Sequence, residues 1–135
     1  MRLLRMALES AKSVAGYKTL PTTEENIKKF KESYRNLSHV KTGNDFEGLL
    51  LHDGETFVAV VQCNVKTKYI VALEVSPDYQ RQSIASKLLN YAVHDLDCNL
   101  LTVRMNNKNA ISLYEKTGWK EFKREGIMIY MEKEI

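Results

Sequence analysis

Gln80-Arg81-Gln82-Ser83-Ile84-Ala85 lies where an extended apolar run gives way to a helical pattern. The longer segment Leu73–Leu89, LEVSPDYQRQSIASKLL, reads as a strand, a turn of small and polar residues, and a helix. The first amides of a helix have no partner of their own and carry partial positive charge. A strand–turn–helix junction can therefore cradle a phosphate on its backbone, with little demand on side-chain type. A second segment, Asn107–Trp119, reads NKNAISLYEKTGW. Asn107 is a strong helix-opening residue and Gly118 a natural stop. Tyr114 falls near the end of this short helix. At helical spacing it also lies beside Ala110 and Ile111, where it would simply pack.

The elements around these segments follow from periodicity. Thr22–Leu37 reads as a helix, with a capping box from Thr22 to Glu25 and an apolar stripe of Ile27, Phe30, Tyr34 and Leu37. Its lysines alternate with glutamates, which marks a solvated face. Before it, Leu4, Ala7, Ala11 and Ala15 fit a helix, while Arg2–Met6 fits a short strand. From Phe46 the pattern turns to strands. Phe46–His52 and Thr56–Val65 flank Asp53-Gly54, a strong hairpin signal. Lys68–Val75 follows, then a helix over Ile84–Leu96, a strand over Leu100–Met105 and a helix over Lys108–Thr117. Two last strands, Trp119–Arg124 and Ile127–Met131, turn at Glu125-Gly126. This order predicts a mixed sheet with helices packed on it.

Composition bounds the rest. At 135 residues the chain is expected to be a single domain over residues 1–135, burying roughly two-thirds of its unfolded surface. Lys and Arg number 20 against 17 Asp and Glu, a net charge of +3. That balance gives no support to nucleic-acid binding. Cys63 and Cys98 lack metal-type spacing, and Cys63 lies in an apolar run. Arg5 and Glu9 break the first apolar run, and no stretch approaches the ~18 apolar residues of a membrane span. The expectation is a cytoplasmic protein, with no metal and no membrane association, as monomer or homodimer.

Taken together and in this order, SPDYQRQSIA and NxxAxxLYxxxGW resemble the acetyl-CoA site of the GCN5-related N-acetyltransferase (GNAT) family. The likeness covers roughly residues 46–131. Its second motif is similar to the branch that acetylates protein N-termini, including ribosomal-protein alanine acetyltransferases. The resemblance implies an α/β (α+β) fold, with a mixed, mostly antiparallel central sheet flanked by helices. It implies acetyl-CoA as co-substrate and direct transfer to a primary amine, either a protein or peptide α-amine or a small molecule. The alternative is a CoA-binding or protein-interaction module on the same fold without catalysis. Acetylation of charged tRNA is a further reading that the mild basicity permits.

The same resemblance assigns residues. The cofactor would lie against Gln80, Arg81, Gln82, Ser83, Ile84, Ala85 and Ser86, and against Asn107 and Tyr114. The main chains of Leu73 and Val75 would pair with the pantetheine amides as an added strand does. Ser83 stands where the family usually has glycine; a serine there restricts the backbone and adds a Cβ, though it can cap the helix. Tyr114 would protonate the leaving thiolate. The family's N-terminal branch often carries a glutamate on the strand that here holds Thr102, which cannot act as a base. Glu74 is the nearest alternative, and otherwise a solvent-facing carboxylate; His52 near the hairpin is a further candidate.

Acid–base arithmetic narrows the acceptor. A lysine amine of pKa ~10.4 is neutral in about one molecule in 2,500 at pH 7, while an α-amine of pKa ~7.7–8.0 is neutral roughly 10–17% of the time. A site without a strong base is less penalised on α-amines.

Overall fold

A computed structural model of the chain describes residues 17–21, 45–54, 56–80 and 83–134. The expected helix over Thr22–Leu37 and the readings of residues 2–15 lie outside the described residues, as do Arg81 and Gln82.

The described strands are β1 (Tyr17–Pro21), β2 (Phe46–Asp53), β3 (Thr56–Asn64), β4 (Tyr69–Val75), β5 (Leu100–Arg104), β6 (Trp119–Glu125) and β7 (Met128–Lys133). Helix α1 spans Ile84–His94 and helix α2 spans Lys108–Lys116. The strands form one seven-stranded sheet in the order β1-β2-β3-β4-β5-β7-β6. Pairing is antiparallel between β2 and β3, β3 and β4, β5 and β7, and β6 and β7; β1–β2 and β4–β5 are parallel. This is the mixed, mostly antiparallel architecture expected. Strand β1 was not expected at its observed place, because five residues of YKTLP carry no alternation strong enough to stand out from a loop.

Side chains alternate across a strand, so register assigns them to faces. Leu49, Val61 and Leu73 stand in one row, as do Leu51, Ala59 and, from β4, Val75. Leu101 and Val103 of β5 continue this face into Met131 and Ile129 of β7. Helix α1 covers β3 and β4 with Leu88, Leu89, Tyr91, Ala92 and Val93, all buried. Helix α2 packs on β6, where Trp119 is 2% exposed and its ring lies 6.2 Å from that of Tyr114. Cys63 and Cys98 are free thiols within this core. A hydrogen bond with Cys98, reinforced by burial, pushes the Cys63 thiol up and keeps it protonated.

Gly48 is an imposed residue. A Cβ there would run into the Val61 carbonyl oxygen, with Gln62 Cα 3.0 Å away. The obstacle is backbone of the neighbouring strand, which cannot move aside as a flexible side chain could.

Candidate active site

The parallel ladder between β4 and β5 contains two pairs, Tyr69 with Leu100 and Ile70 with Leu101, and ends there. Beyond Ile70 the strands part, and β4 from Val71 to Val75 has no β5 partner. The other edge of β4 stays paired to β3 as far as Val75. The gap opens beside the start of α1, and a groove of about 450 Å³ runs over it. Leu73 and Val75 form its floor. One wall is the loop and first turn of α1: Tyr79, Gln80, Ser83, Ile84, Ala85 and Ser86. The other wall is α2, with Asn109, Ala110, Leu113 and Tyr114.

The first wall is built by the expected junction. Pro77–Tyr79 make a single 3-10 turn after β4, and α1 starts at Ile84. The Gln80 side chain turns back and donates from Nε2 to the Val75 carbonyl at 3.3 Å, tying the loop to the strand end. Ser83 holds φ 60° and ψ 20°, the left-handed region that glycine adopts without strain. It makes no side-chain cap, so the capping that a serine can supply there is not used. Its carbonyl accepts from the Lys87 amide at 3.1 Å, so the backbone follows the path of a glycine turn and the hydroxyl stays exposed.

On the second wall, Asn107 acts as the expected helix cap, its Oδ1 accepting from the Ala110 amide at 3.2 Å. It does not line the groove; Asn109 does. Helix α2 ends through Thr117, whose hydroxyl donates to Leu113 O at 2.8 Å, followed by Gly118. Tyr114 lies in the core cluster and on the groove at once. Burial pushes its phenol above the ordinary value of 10.0, which keeps it protonated at neutral pH.

Glu74 is not part of the groove. It is exposed and lies on the sheet face opposite Leu73 and Val75, opposite Val60 in the ladder. Thr102 and Tyr130 share that second face, paired with each other across β5 and β7. His52 is engaged in the hairpin, its Nδ1 3.0 Å from the Gly54 carbonyl. Sequence reasoning missed Tyr79, Asn109, Ala110 and Leu113. The last three could have been found from Tyr114, since positions 109, 110, 113 and 114 share one helical face.

An unpaired strand edge can pair with amide groups, helix-start amides can favour an anion, and a buried phenol can donate a proton. No group of three or more His, Cys, Asp or Glu among the described residues is arranged to hold a metal ion. Residues 17–119 match the Acetyltransferase (GNAT) family, and the chain belongs to it.

Particular proteins are similar to parts of the chain. The chain is 36% identical over 63 residues to the N-terminal acetyltransferase B complex catalytic subunit NAA20 of Arabidopsis thaliana, covering 42% of this chain and 36% of that protein. It is 34% identical over 68 residues to the [Ribosomal protein bS18]-alanine N-acetyltransferase of Escherichia coli (strain K12), covering 47% of this chain and 46% of that protein. The matched stretch thus spans less than half the length of either relative. Among solved structures, the ribosomal-protein-S18-alanine N-acetyltransferase from Escherichia coli shares the fold at a TM-score of 0.56 and 23% identity, over 86% of this chain and 90% of that one. The PaiA N-acetyltransferase from Thermoplasma acidophilum, crystallised with coenzyme A, does so at 0.53 and 22%, over 60% and 55%.

Proposed function

We propose that this protein transfers the acetyl group of acetyl-CoA to a primary amine, directly and within a ternary complex. The observation that carries this reading is the end of the β4–β5 ladder at Ile70 and Leu101, beside the first turn of α1 and across from Tyr114. The pantetheine amides would pair with the open edge of β4, and the pyrophosphate would rest on the amides that open α1. Leu73, Val75 and Leu113 would exclude water from the thioester.

The reaction needs a neutral amine and a protonated leaving group. The amine nitrogen attacks the thioester carbonyl carbon, and the C–S bond breaks. Tyr114, whose phenol is protonated at neutral pH, gives its proton to the departing sulfur. The amine loses one proton, and Glu74, on the opposite sheet face, is the carboxylate assigned to receive it. A base there would meet an acceptor entering from the side away from the cofactor. We assign a protein or peptide α-amine as acceptor, supported by the activities named for the two relatives and by the larger neutral fraction of α-amines at pH 7. The cytoplasm is the assigned location, in keeping with two free cysteines.

Calorimetry with CoA, followed by a transfer assay on a panel of peptides and small amines with Tyr114→Phe as control, tests the proposal. CoA binding with transfer to peptide α-amines is expected. No binding at millimolar CoA would overturn it. Binding without transfer to any amine would leave a CoA-binding module in its place.

A further inference from the structure

We infer that Asn109 is a polar contact for the pyrophosphate end of coenzyme A, in the groove that it lines together with Ser83. This rests on the proposed function and adds a residue to it. The groove face of α2 consists of Asn109, Ala110, Leu113 and Tyr114. Between the carboxamide and the phenol the wall is apolar. Asn107, the asparagine at the head of the motif, has its Oδ1 occupied by the Ala110 amide.

The two ends of this wall differ in depth. Tyr114 is buried, whereas Asn109 is exposed. Five residues separate them, about 7.5 Å along a helix that rises 1.5 Å per residue. The groove is thus more buried at the phenol, where the thioester would lie, than at Asn109. Ser83, Ala85 and Ser86, at the first amides of α1, line the same groove. For a phosphate on those amides, Asn109 is the exposed polar side chain that α2 contributes to the groove. Its carboxamide offers two N–H donors without a charge. It would add a donor to the cradle, which has added value here because Ser83 brings a Cβ to a turn of glycine geometry.

The test is a charge series at one position. CoA affinity is measured by calorimetry for the parent protein, Asn109→Ala, Asn109→Asp and Asn109→Lys, with Asn107→Ala as a structural control. Loss of the carboxamide is expected to weaken CoA by about 3- to 10-fold. The isosteric aspartate sets a carboxylate against the phosphates and is expected to weaken it by more than about 10-fold. Lysine is expected to match or exceed the parent. The Asn109 variants should melt within about 2 °C of the parent, while Asn107→Ala, which removes the cap, should melt lower. Parent-like CoA affinity in Asn109→Asp, or equal losses in the alanine and aspartate variants, would overturn the phosphate contact and leave the proposed function standing. A parent protein that does not bind CoA would overturn both.

Discussion

Ile70 and Leu101 are the last pair of the parallel ladder between β4 and β5, and the groove is lined by residues that follow Ile70, from Leu73 to Ser86, and residues that follow Leu101, from Asn109 to Tyr114. One register position thus separates a structural sheet from an open one. Before it, the strands hold each other; after it, β4 has a vacant edge beside a helix start. Leu73 and Val75 lie along that edge, and Glu74 between them faces the other way.

Tyr114→Phe is expected to lower turnover at least tenfold while leaving CoA affinity near that of the parent. The general-acid range is ~10²–10⁴, and water can partly replace a lost phenol. The proton is needed only as the C–S bond breaks, so the loss belongs in kcat. Steady-state kinetics beside calorimetry checks the split. Equal turnover would make Tyr114 a packing residue.

The same phenol gives a stability signature. Burial raises its pKa above 10.0 in the fold, so ionisation opposes folding. Its contribution is present in full below pH 10 and is lost as pH rises through the folded value. Parent and Tyr114→Phe should therefore differ in melting temperature by one amount at pH 8. The difference should shift in favour of the phenylalanine variant near pH 11.5. A difference independent of pH would mean that the phenol is free of that burial penalty.

Glu74→Gln is expected to cut turnover on an α-amine acceptor at pH 7 by about tenfold or more, with much of the loss recovered at pH 9. At the higher pH most of the amine is neutral unaided. CoA affinity should not change, because Glu74 lies outside the groove. A pH–rate profile identical to that of the parent would show a solvent-facing carboxylate with no part in the chemistry.

Ser83→Gly is expected to stabilise the protein and to hold or tighten CoA, and Ser83→Val to weaken both. An L-residue at φ 60° carries roughly 1–2 kcal/mol of backbone strain, which glycine relieves and a β-branched side chain increases. Denaturant unfolding and CoA titration of the two variants measure it. If Ser83→Val binds CoA as the parent does, the pyrophosphate does not rest on this turn.

Gly48→Ala is expected to destabilise the fold by about 2–3 kcal/mol, since the added methyl meets the Val61 carbonyl on the next strand. Equilibrium unfolding in urea reads this directly. A change under ~0.5 kcal/mol would mean that β2 and β3 can part at this point without cost.

The sequence alone determined what local chemistry decides. Hydrophobic period placed β2 to β7 and both helices within a few residues. Asp53-Gly54 marked the first hairpin, and the last turned where Glu125-Gly126 places it, at Gly126 and Ile127. Asn107 was legible as a cap and the strand–turn–helix junction as a cradle, because each depends on residues within a turn or two of one another. The tertiary structure decided the rest. Whether Ser83 caps the helix or takes a left-handed turn depends on how β4 delivers the chain to α1. Gln80 reaches Val75 only once the loop has folded back. Asn109 in place of Asn107 on the groove depends on which side of α2 faces β4. Glu74 falls on the far face because a one-residue step in a strand reverses a side chain, and the register that sets the step comes from β3. Such facts arise from pairings between distant segments, and no window of sequence contains both partners.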